Sequence, residues 1–408
     1  MTLHFDETDG LALADWIRPG DALVWGQACA EPTALTAALT QQSGGLGPLT
    51  AFVGTTYADA FDPAVAANVR LSSYGASGRN RRWLADGLLE TLPVHYSSLP
   101  GLFRRGVLRA DVVLVTVAPP GPDGRYPLGL ADEYLPAALA AARVVIAEVS
   151  PHVPRIRGAH SLGADEIDVL VHTDRHPPHW TAPEPGDTDR ALGRQVAALV
   201  PDGAVVQIGI GSFPGAVLAE LGERNDLGFH SGLFADGMID LVERGVITNR
   251  TKPYDTGLSV AGITMGGRRL VEWLHDNPAV ALRGTGRIHD VEVLGSLPRF
   301  TAINTALEVD LSGQVNAEVV AGRYVGAIGG SLDFLRGAAR SEGGLPIIAL
   351  PATSRGRSTI VEKLSGPVTV GRADVGIVVT EHGAADLRGI GPAERRERLL
   401  AISAPGLL

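Results

Sequence analysis

The sequence predicts an α/β protein in which mainly parallel sheets carry helices on both faces. Two patterns support this prediction: short apolar runs bounded by Gly, Pro or Asp, and Ala/Leu/Arg-rich stretches with helical spacing between several of them. Continuous apolar runs are typical of strands that are buried on both faces. Alternation of such runs with helical stretches favours parallel layers covered by helices. The length of 408 residues suggests about two domains.

The predicted elements are distributed over the whole chain. Seven apolar runs are predicted to be buried strands: 22–26, 112–117, 144–149, 167–172, 204–208, 345–351 and 374–380. Four stretches have the spacing and composition of helices: 35–39 with its flanks, 137–142, 191–200 and 216–221.

Two distant segments, 15–26 and 198–209, share one plan. In each, a helix ends at a Pro/Gly turn, a short strand ends at a glycine, and a new helix begins shortly after a proline, Pro32 or Pro214. This similarity predicts two α/β halves of related plan. The composition between 167 and 189 shifts to His, Pro, Thr and Asp, which is typical of a linker. We therefore predict an N-terminal domain over 1–180 and a C-terminal domain over 181–408.

Charge and composition exclude several classes of function. The net charge is −10, from 45 acidic and 35 basic side chains, so we expect no nucleic-acid partner. The single cysteine, Cys29, can form no internal disulfide and no cysteine-based zinc cluster, and we expect no metal. No apolar run reaches the roughly 18 residues that span a bilayer, and the N-terminus is acidic where a signal peptide is basic. A cytoplasmic protein without a membrane partner is expected.

Two glycine-rich loops are candidates for ligand contact. Gly209, Gly211 and Ser212 lie between a predicted strand and a predicted helix, where backbone amides can face an anion or a developing oxyanion. Gly329 and Gly330 belong to a second loop, in which the absence of Cβ atoms allows close approach by a ligand. A tight strand-to-helix turn and a flexible turn are the structural alternatives.

Acidic side chains mark two further segments. Glu308 and Asp310 alternate in a strand-like stretch, so they should point to the same side. They could form an acid/base pair or lie on a solvated face. Glu381 and His382 follow the last predicted strand, at the carboxyl end where parallel sheets bind ligands.

Together these segments resemble the acetyl-CoA hydrolase/transferase family, which includes acetate and 4-hydroxybutyrate CoA-transferases. The resemblance covers almost the whole chain. The matching motifs are the GIG-x-x-P loop at 207–214, the stretch 227–231 followed by Asp236-Gly237, the N-S-A-L-E-V-D-L-x-G-Q-V stretch at 304–316, G-G-x-x-D-F at 329–334 and V-V-T-E-x-G at 378–383. The resemblance implies two CoA-transferase-type α/β domains, a homodimer, and a coenzyme A thioester as substrate.

One position departs from the pattern of the family. There, a glutamate directly after the stretch matched by 227–231 attacks an acyl-CoA and becomes a glutamyl-CoA thioester. In this chain the corresponding position is Gly232. Glycine has no side chain, so the resemblance implies that a glutamyl-CoA intermediate cannot form there.

Three interpretations follow from this departure. The first is an enzyme that transfers the acyl group directly to water or another nucleophile, with His230, Asp236 or Glu308 as general base. The second is a CoA-transferase that uses another carboxylate, Glu308 or Glu381, although covalent catalysis tolerates little displacement. The third is a non-catalytic module that binds CoA or a thioester. We predict the first, an acyl-CoA transferase/hydrolase-like enzyme with a small-molecule acyl-CoA, or another acyl thioester, as its partner.

The predicted binding residues come from the loops and from the resemblance. Ser97 resembles the segment of the family that lines the acyl side of the site, and a loop serine with a local hydrogen bond is the alternative. Arg355 and Arg357 are expected to contact CoA phosphates, because guanidinium groups match phosphate in a bidentate way; an exposed structural role is the alternative. The remaining predicted binding residues are Gly209, Gly211, Ser212, Gly232, Asn304, Gly329 and Gly330.

Overall fold

The chain folds into two compact units. A computed structural model describes residues 2–407. Unit 1 comprises the residues up to Trp180 together with Gly262–Gly286, and unit 2 comprises Thr181–Ala261 and the residues from Arg287 onward. These units differ from the predicted domains at 262–286, a segment of the second predicted domain that packs with unit 1.

Unit 1 is built on an eight-stranded sheet in which every pairing is parallel, with the order β1-β10-β8-β6-β2-β3-β4-β5. A small antiparallel pair, β7 with β9, lies outside this sheet. The strands are β1 Leu3–Asp6, β2 Ala22–Trp25, β3 Leu49–Phe52, β4 Val69–Ser73, β5 Leu89–Thr91, β6 Val112–Val117, β7 Tyr126–Pro127, β8 Val144–Val149, β9 Ser161–Leu162 and β10 Val169–His172.

The centre of this sheet confirms the predicted strands at 112–117 and 144–149. All residues of β6 and β8 are buried, and the two strands pair from Val112↔Val144 to Val117↔Val149. β10 begins two residues later than predicted, because Ile167 closes a 3-10 turn by donating its N–H to the Ala164 carbonyl. The helices of this part of the chain are α1 Thr33–Gln42, α2 Asn80–Ala85, α3 Leu99–Arg104 and α4 Leu135–Ala141.

A buried polar network joins the loops at the carboxyl edge of the unit 1 sheet. Gln27 Nε2 donates to Glu133 Oε2 at 2.5 Å and to the Tyr96 hydroxyl at 2.7 Å. The Tyr96 hydroxyl donates to Glu133 Oε1 at 2.6 Å. Gln27 Oε1 accepts from the Thr55 amide at 2.7 Å and from the Tyr74 hydroxyl at 2.9 Å. Because a partly satisfied buried network is costly, this arrangement ties the loops to one geometry.

Substitution of Gly54 by alanine is expected to destabilise unit 1 by about 1–3 kcal/mol. A Cβ at Gly54 would lie 2.1 Å from Oε1 and 2.6 Å from Cβ of Gln27, so the network would have to move. Urea denaturation of Gly54→Ala should show the loss as a lower midpoint. Gly44→Ala is the matched control, because a Cβ there contacts nothing within 4 Å. Equal midpoints for the two variants would contradict the prediction.

Unit 2 contains a second, mainly parallel sheet. The strands of this unit pair in the order β12-β11-β15-β20-β24-β25, parallel throughout except for the antiparallel edge strand β25. A small sheet of order β17-β16-β23 and two short hairpins, β18–β19 and β21–β22, complete the unit. The remaining strands of the chain are β11 Val205–Ile208, β12 Gly228–Ala235, β13 Ser259–Met265, β14 Val280–Leu282, β15 Thr301–Thr305, β16 Glu308–Asp310, β17 Val315–Asn316, β18 Val319–Val320, β19 Arg323–Tyr324, β20 Leu345–Ala349, β21 Thr353–Ser354, β22 Arg357–Ser358, β23 Ile360–Val361, β24 Ile377–Thr380 and β25 Gly383–Asp386.

The predicted strands of unit 2 are present with shorter bounds. β20 ends before Pro351, which has no N–H to donate to a neighbouring strand. β24 begins at Ile377 because Asp374 closes a turn with the Gly371 carbonyl. The remaining helices are α5 Asp187–Leu199, α6 Ser212–Glu220, α7 Gly237–Glu243, α8 Arg268–Leu274, α9 Thr285–Ile288, α10 Val291–Gly295, α11 Ser331–Arg340 and α12 Pro392–Ala401.

No helix within residues 2–407 has the length and apolar character needed to cross a membrane.

Candidate functional site

Three neighbouring strands of unit 2 bring the candidate residues to one edge of the sheet. β11 lies between β12 and β15, and all three run in parallel. The Ser231 hydroxyl donates to the Ile208 carbonyl at 2.9 Å, and Asn304 Nδ2 donates to Gln207 Oε1 at 3.0 Å. The glycine loop after β11, the middle of β12 and the end of β15 therefore meet at the carboxyl edge, where ligands bind in parallel sheets.

The glycine loop leads directly into helix α6. Gly211 has a φ of 125°, a conformation that favours glycine, and Ser212 is the first residue of the nine-residue helix. The first amides of a helix have no partner within the helix, so this end can face an anion or a developing oxyanion. Gly209 is exposed, and a Cβ there would contact nothing within 4 Å. The loop thus leaves open space beside the helix start.

Gly232 is half-buried on β12, and neither its backbone conformation nor its neighbours require a glycine there. A Cβ built there would lie 3.7 Å from Nε2 of His289 and 3.7 Å from ring atoms of Phe334. These are ordinary van der Waals distances, and the φ of Gly232 is not positive. The first carbon of a side chain therefore fits at this position.

His289 is the residue at this edge that the sequence analysis missed as a site residue. Its side chain is 5% exposed, and its ring packs against Phe334 with a centroid distance of 4.7 Å. A Cβ at Gly330 would lie 2.4 Å from His289 Nε2, so the glycine leaves the space that the imidazole occupies. No motif or local spacing connects His289 with Gly232; only the folded chain brings them together.

The second glycine loop positions the start of helix α11. Gly329 has a φ of 57°, and α11 begins two residues later at Ser331. Phe334, in the first turn of α11, is buried and lies beside Gly232 and His289. Gly330 thus lies beside the same His289 and Phe334 side chains as Gly232, and its binding role stays a prediction.

His230 is the predicted base that the structure buries most deeply. Its side chain is 0% exposed, and its Nε2 lies 3.2 Å from the Ile288 carbonyl. Burial, together with the nearby positive charge of Lys252, lowers the pKa of His230 to about 3. The imidazole is therefore neutral at pH 7 and a weak base, whereas an efficient general base has a pKa near the working pH. A catalytic role for His230 stays a prediction.

Asp236 follows β12 directly and precedes α7. It is half-buried and stands four residues after Gly232, just beyond the end of the strand. Its role as a base stays a prediction as well.

Glu308 is engaged in holding a neighbouring segment. Its carboxylate accepts hydrogen bonds from the Ser365 amide at 2.9 Å, from the Ser365 hydroxyl at 2.6 Å and from Asn316 Nδ2 at 3.2 Å. Asp310 binds a different set, the loop residues Ser312 and Gln314. Burial opposes ionisation of Asp310, but these hydrogen bonds prevail and lower its pKa. The two carboxylates therefore bind separate partners.

Glu381 also binds backbone. Its Oε2 accepts from the Ala352 amide at 2.7 Å and so fixes the loop after β20 to the end of β24. Like Glu308, it holds a neighbouring loop through a backbone amide.

The remaining predicted binding residues lie on other elements. Arg355 and Arg357 are exposed on the β21–β22 hairpin, where Arg357 pairs with Ser354. Ser97 lies in unit 1, in the 3-10 helix Tyr96–Ser98, and is half-buried. Their contacts with substrate stay predictions. Across residues 2–407, no group of three or more His, Cys, Asp or Glu side chains is placed to hold a metal ion.

Models of two protein-family domains match most of the chain. The model of the acetyl-CoA hydrolase/transferase N-terminal domain matches residues 10–177, and that of the C-terminal domain matches residues 266–407. The chain belongs to the acetyl-CoA hydrolase/transferase family. The family resemblance and the two-part α/β fold are thereby confirmed, and the protein is an acyl-CoA transferase/hydrolase-like enzyme.

Relatives within the acetyl-CoA hydrolase/transferase family match most of the chain. The 4-hydroxybutyrate coenzyme A transferase of Clostridium kluyveri is 34% identical, over 80% of this chain and 77% of its own. The succinyl-CoA:cyclohexane-1-carboxylate CoA transferase of Geobacter metallireducens is 30% identical, over 95% and 90%. The crystal structure of RipA from Yersinia pestis is 31% identical, with a TM-score of 0.88, over 96% of this chain and 92% of RipA.

Proposed function

We propose that this enzyme removes the acyl group of a small acyl-CoA by direct transfer to water or another acceptor, without a glutamyl-CoA intermediate. The observation that carries the proposal is the absence of a carboxylate at Gly232, on the strand edge beside the glycine loop. Neither backbone conformation nor crowding explains a glycine there. The absence of a side chain leaves space in which a nucleophile can stand.

The chemistry needs two features of this edge. The amides at the start of α6 are suited to stabilise the oxyanion that forms when a nucleophile attacks the thioester carbonyl. In this proposal, the attacking water or acceptor molecule occupies the space beside Gly232. With water, its oxygen bonds to the acyl carbon, the carbon–sulfur bond breaks, and a carboxylic acid and CoA thiol are released. An alcohol or amine acceptor would give the ester or amide instead.

The contacts of Glu308 and Glu381 favour direct transfer over a CoA-transferase that uses another carboxylate. Each carboxylate accepts a hydrogen bond from a backbone amide, at 2.9 Å from Ser365 and 2.7 Å from Ala352. Charge-assisted bonds of this kind are among the stronger ones in proteins, so moving either carboxylate away from its loop to meet a substrate would cost these bonds.

The other features of the proposal rest on sequence patterns and on the family resemblance rather than on contacts in this chain. They are the domain division at 180/181, a homodimer, a cytoplasmic location, and CoA contacts from Gly209, Gly211, Ser212, Asn304, Gly329, Gly330, Ser97, Arg355 and Arg357. Analytical ultracentrifugation of the full chain tests the dimer, and alanine variants of the two arginines should raise the KM for acyl-CoA.

The proposed function predicts CoA release that does not depend on a carboxylate. The purified protein is incubated with acetyl-, propionyl-, butyryl- and succinyl-CoA, with and without acetate, and free thiol and acyl products are followed by mass spectrometry. We expect free CoA from at least one thioester at a rate that acetate leaves unchanged. Acetyl-CoA that forms only when acetate is present would support transfer through another carboxylate. Binding without turnover would support the non-catalytic module.

A further inference from the structure

Four of the eleven histidines border one cleft of unit 1. The cleft has a volume of about 300 Å³ and lies between the loop after β8, the segment after β10 and helix α8. Its histidines are His152, His176, His179 and His275. We propose that this cleft binds a small dianion of the phosphate or sulfate class, and that it binds the ion more tightly when its histidines are protonated. The inference does not depend on the proposed function.

Two of these imidazoles have no hydrogen-bond partner among residues 2–407, namely those of His176 and His179. Both residues are exposed. The ring of His176 stacks on that of His152 with a centroid distance of 3.6 Å, and the rings of His176 and His179 are 6.5 Å apart. A protonated imidazole has two N–H donors and no acceptor. When protonated, the two rings therefore offer four donors that an oxyanion can accept.

His176 and His179 also border a second cavity, which has a volume of about 460 Å³. Arg175 and Thr33, the first residue of helix α1, line this second cavity as well. A dianion held by the two histidines thus has room beside it for an organic group. The ion could therefore be free or part of a phosphorylated small molecule.

The fixed charges around the two cavities are already paired with opposite charges. The pairs are Arg268–Glu272, Arg155–Asp276, Arg175–Glu7, Arg79–Asp59, His152–Asp174 and His275–Asp276. With neutral imidazoles, the site therefore has little net charge. As the pH falls below 6, His176 and His179 each add a positive charge to which no carboxylate of residues 2–407 hydrogen-bonds. Protonation of these two side chains thus makes the site attractive to an anion.

The surroundings of His176 oppose its protonation while the cleft holds no anion. Partial desolvation and the positive charges of His152, Arg268 and His179 lower the pKa of His176 from its usual value of 6.5, although Asp174 raises it. A dianion in the cleft would offset these positive charges and favour the protonated imidazole. Binding of the ion and binding of protons therefore reinforce each other, so affinity should fall as the pH rises from 5.5 to 8.

Isothermal titration calorimetry of the full chain with sulfate tests the site, because sulfate remains a dianion from pH 5.5 to 8 and only the protein titrates. At constant ionic strength, we expect a Kd about tenfold lower at pH 5.5 than at pH 8, the effect of one imidazole whose proton affinity the ion raises about tenfold. Heats measured in two buffers of different ionisation enthalpy should show uptake of protons from the buffer.

The double variant His176→Gln/His179→Gln should bind sulfate about tenfold more weakly at pH 5.5 and lose most of the pH dependence. His4→Gln is the matched control, because it changes an exposed histidine on β1 outside the cleft and should bind as wild type does. Circular dichroism verifies that both variants are folded. Absence of sulfate binding at pH 5.5, equal Kd values at pH 5.5 and 8, or equal Kd values for wild type and the double variant would each overturn the inference.

A second titration distinguishes the two sources of the dianion. Glycerol phosphate and inorganic phosphate are compared at pH 6.5, where both are largely or partly dianionic. Tighter binding of glycerol phosphate supports a phosphorylated small molecule whose organic group enters the second cavity. Equal or tighter binding of inorganic phosphate supports a free oxyanion. A double variant that binds both compounds as wild type does would overturn the assignment to His176 and His179.

Discussion

Gly232→Glu is expected to acquire a carboxylate-dependent CoA transfer that, under the proposed function, the wild-type enzyme does not perform. The position accepts a Cβ at ordinary van der Waals distances from His289 and Phe334, and it lies on the same strand edge as the glycine loop. By the resemblance of the surrounding motif, a carboxylate introduced there stands at the position of the family's glutamate nucleophile. Its attack on an acyl-CoA would give a mixed anhydride and CoA thiolate, and the thiolate would then attack the glutamyl carbonyl, so that the acyl group leaves as its carboxylate and a glutamyl-CoA thioester stays on the protein.

Two measurements test the expected activity of Gly232→Glu. Mass spectrometry of Gly232→Glu after incubation with acyl-CoA should show the mass of a covalently bound CoA, and the exchange of CoA between butyryl-CoA and acetate should rise from background. Carboxylate-independent CoA release should fall, because the new side chain fills the space that the proposed function assigns to the nucleophile. Gly232→Gln is the matched control: it fills the same volume but cannot form the thioester. Exchange activity in both variants alike would rule out the introduced carboxylate as its source.

The second large effect expected is a loss of stability as the pH rises from 5 to 8.5. Unit 1 contains several buried carboxyl groups whose pKa burial raises: Glu31 to about 8, Glu133 and Glu148 to about 7, and Asp132 to about 6. Hydrogen bonds to Glu133 and Glu148 oppose the effect of burial without cancelling it. Of these four groups, Glu31, which is 2% exposed, has the pKa that is raised furthest, from its usual value of 4.5.

The sign follows from proton binding in the two states. Between pH 4.5 and 8, the folded protein holds a proton on Glu31 that the unfolded chain has released. Stability therefore falls as the pH rises through this range, and the loss is complete above pH 8. Each tenfold difference in proton affinity changes the free energy of unfolding by about 1.4 kcal/mol. Titration of Glu31 therefore lowers the free energy of unfolding by about 3–5 kcal/mol across this pH range. His230 acts in the opposite direction, because its lowered pKa reduces stability below pH 6.5.

Glu31→Gln should remove the share of this dependence that Glu31 contributes, whereas Glu133, Glu148 and Asp132 retain theirs. Urea denaturation at pH 5.5, 7 and 8.5 is expected to show a variant that is more stable than wild type at pH 8.5 and close to it at pH 5.5. Glu184→Gln, at an exposed position in the segment before α5, should leave the wild-type dependence unchanged. Parallel stability curves for wild type and Glu31→Gln would contradict the raised pKa of Glu31.

The sequence by itself determined the fold class, the family and the principal strands. β6 and β8 were predictable because continuous runs of Val and Ile are buried on both faces of a parallel sheet, and this signal lies within six residues of chain. The family motifs are equally local, and Gly232 stands out within one of them. The helices that cover the sheets were also located, although their ends depend on individual turns and hydrogen bonds.

Only the tertiary structure decided which side chains surround Gly232 and what the candidate acids do. His289 approaches Gly232 from a distant part of the chain, and the space that it occupies depends on Gly330. Glu308 has a suitable residue type, but its carboxylate is engaged by Ser365. Likewise, 262–286 packs with unit 1 through pairings such as Arg157↔Ala281. Residue type and spacing record only local preferences, whereas burial, pKa and partner choice arise from contacts between segments that are far apart in the chain.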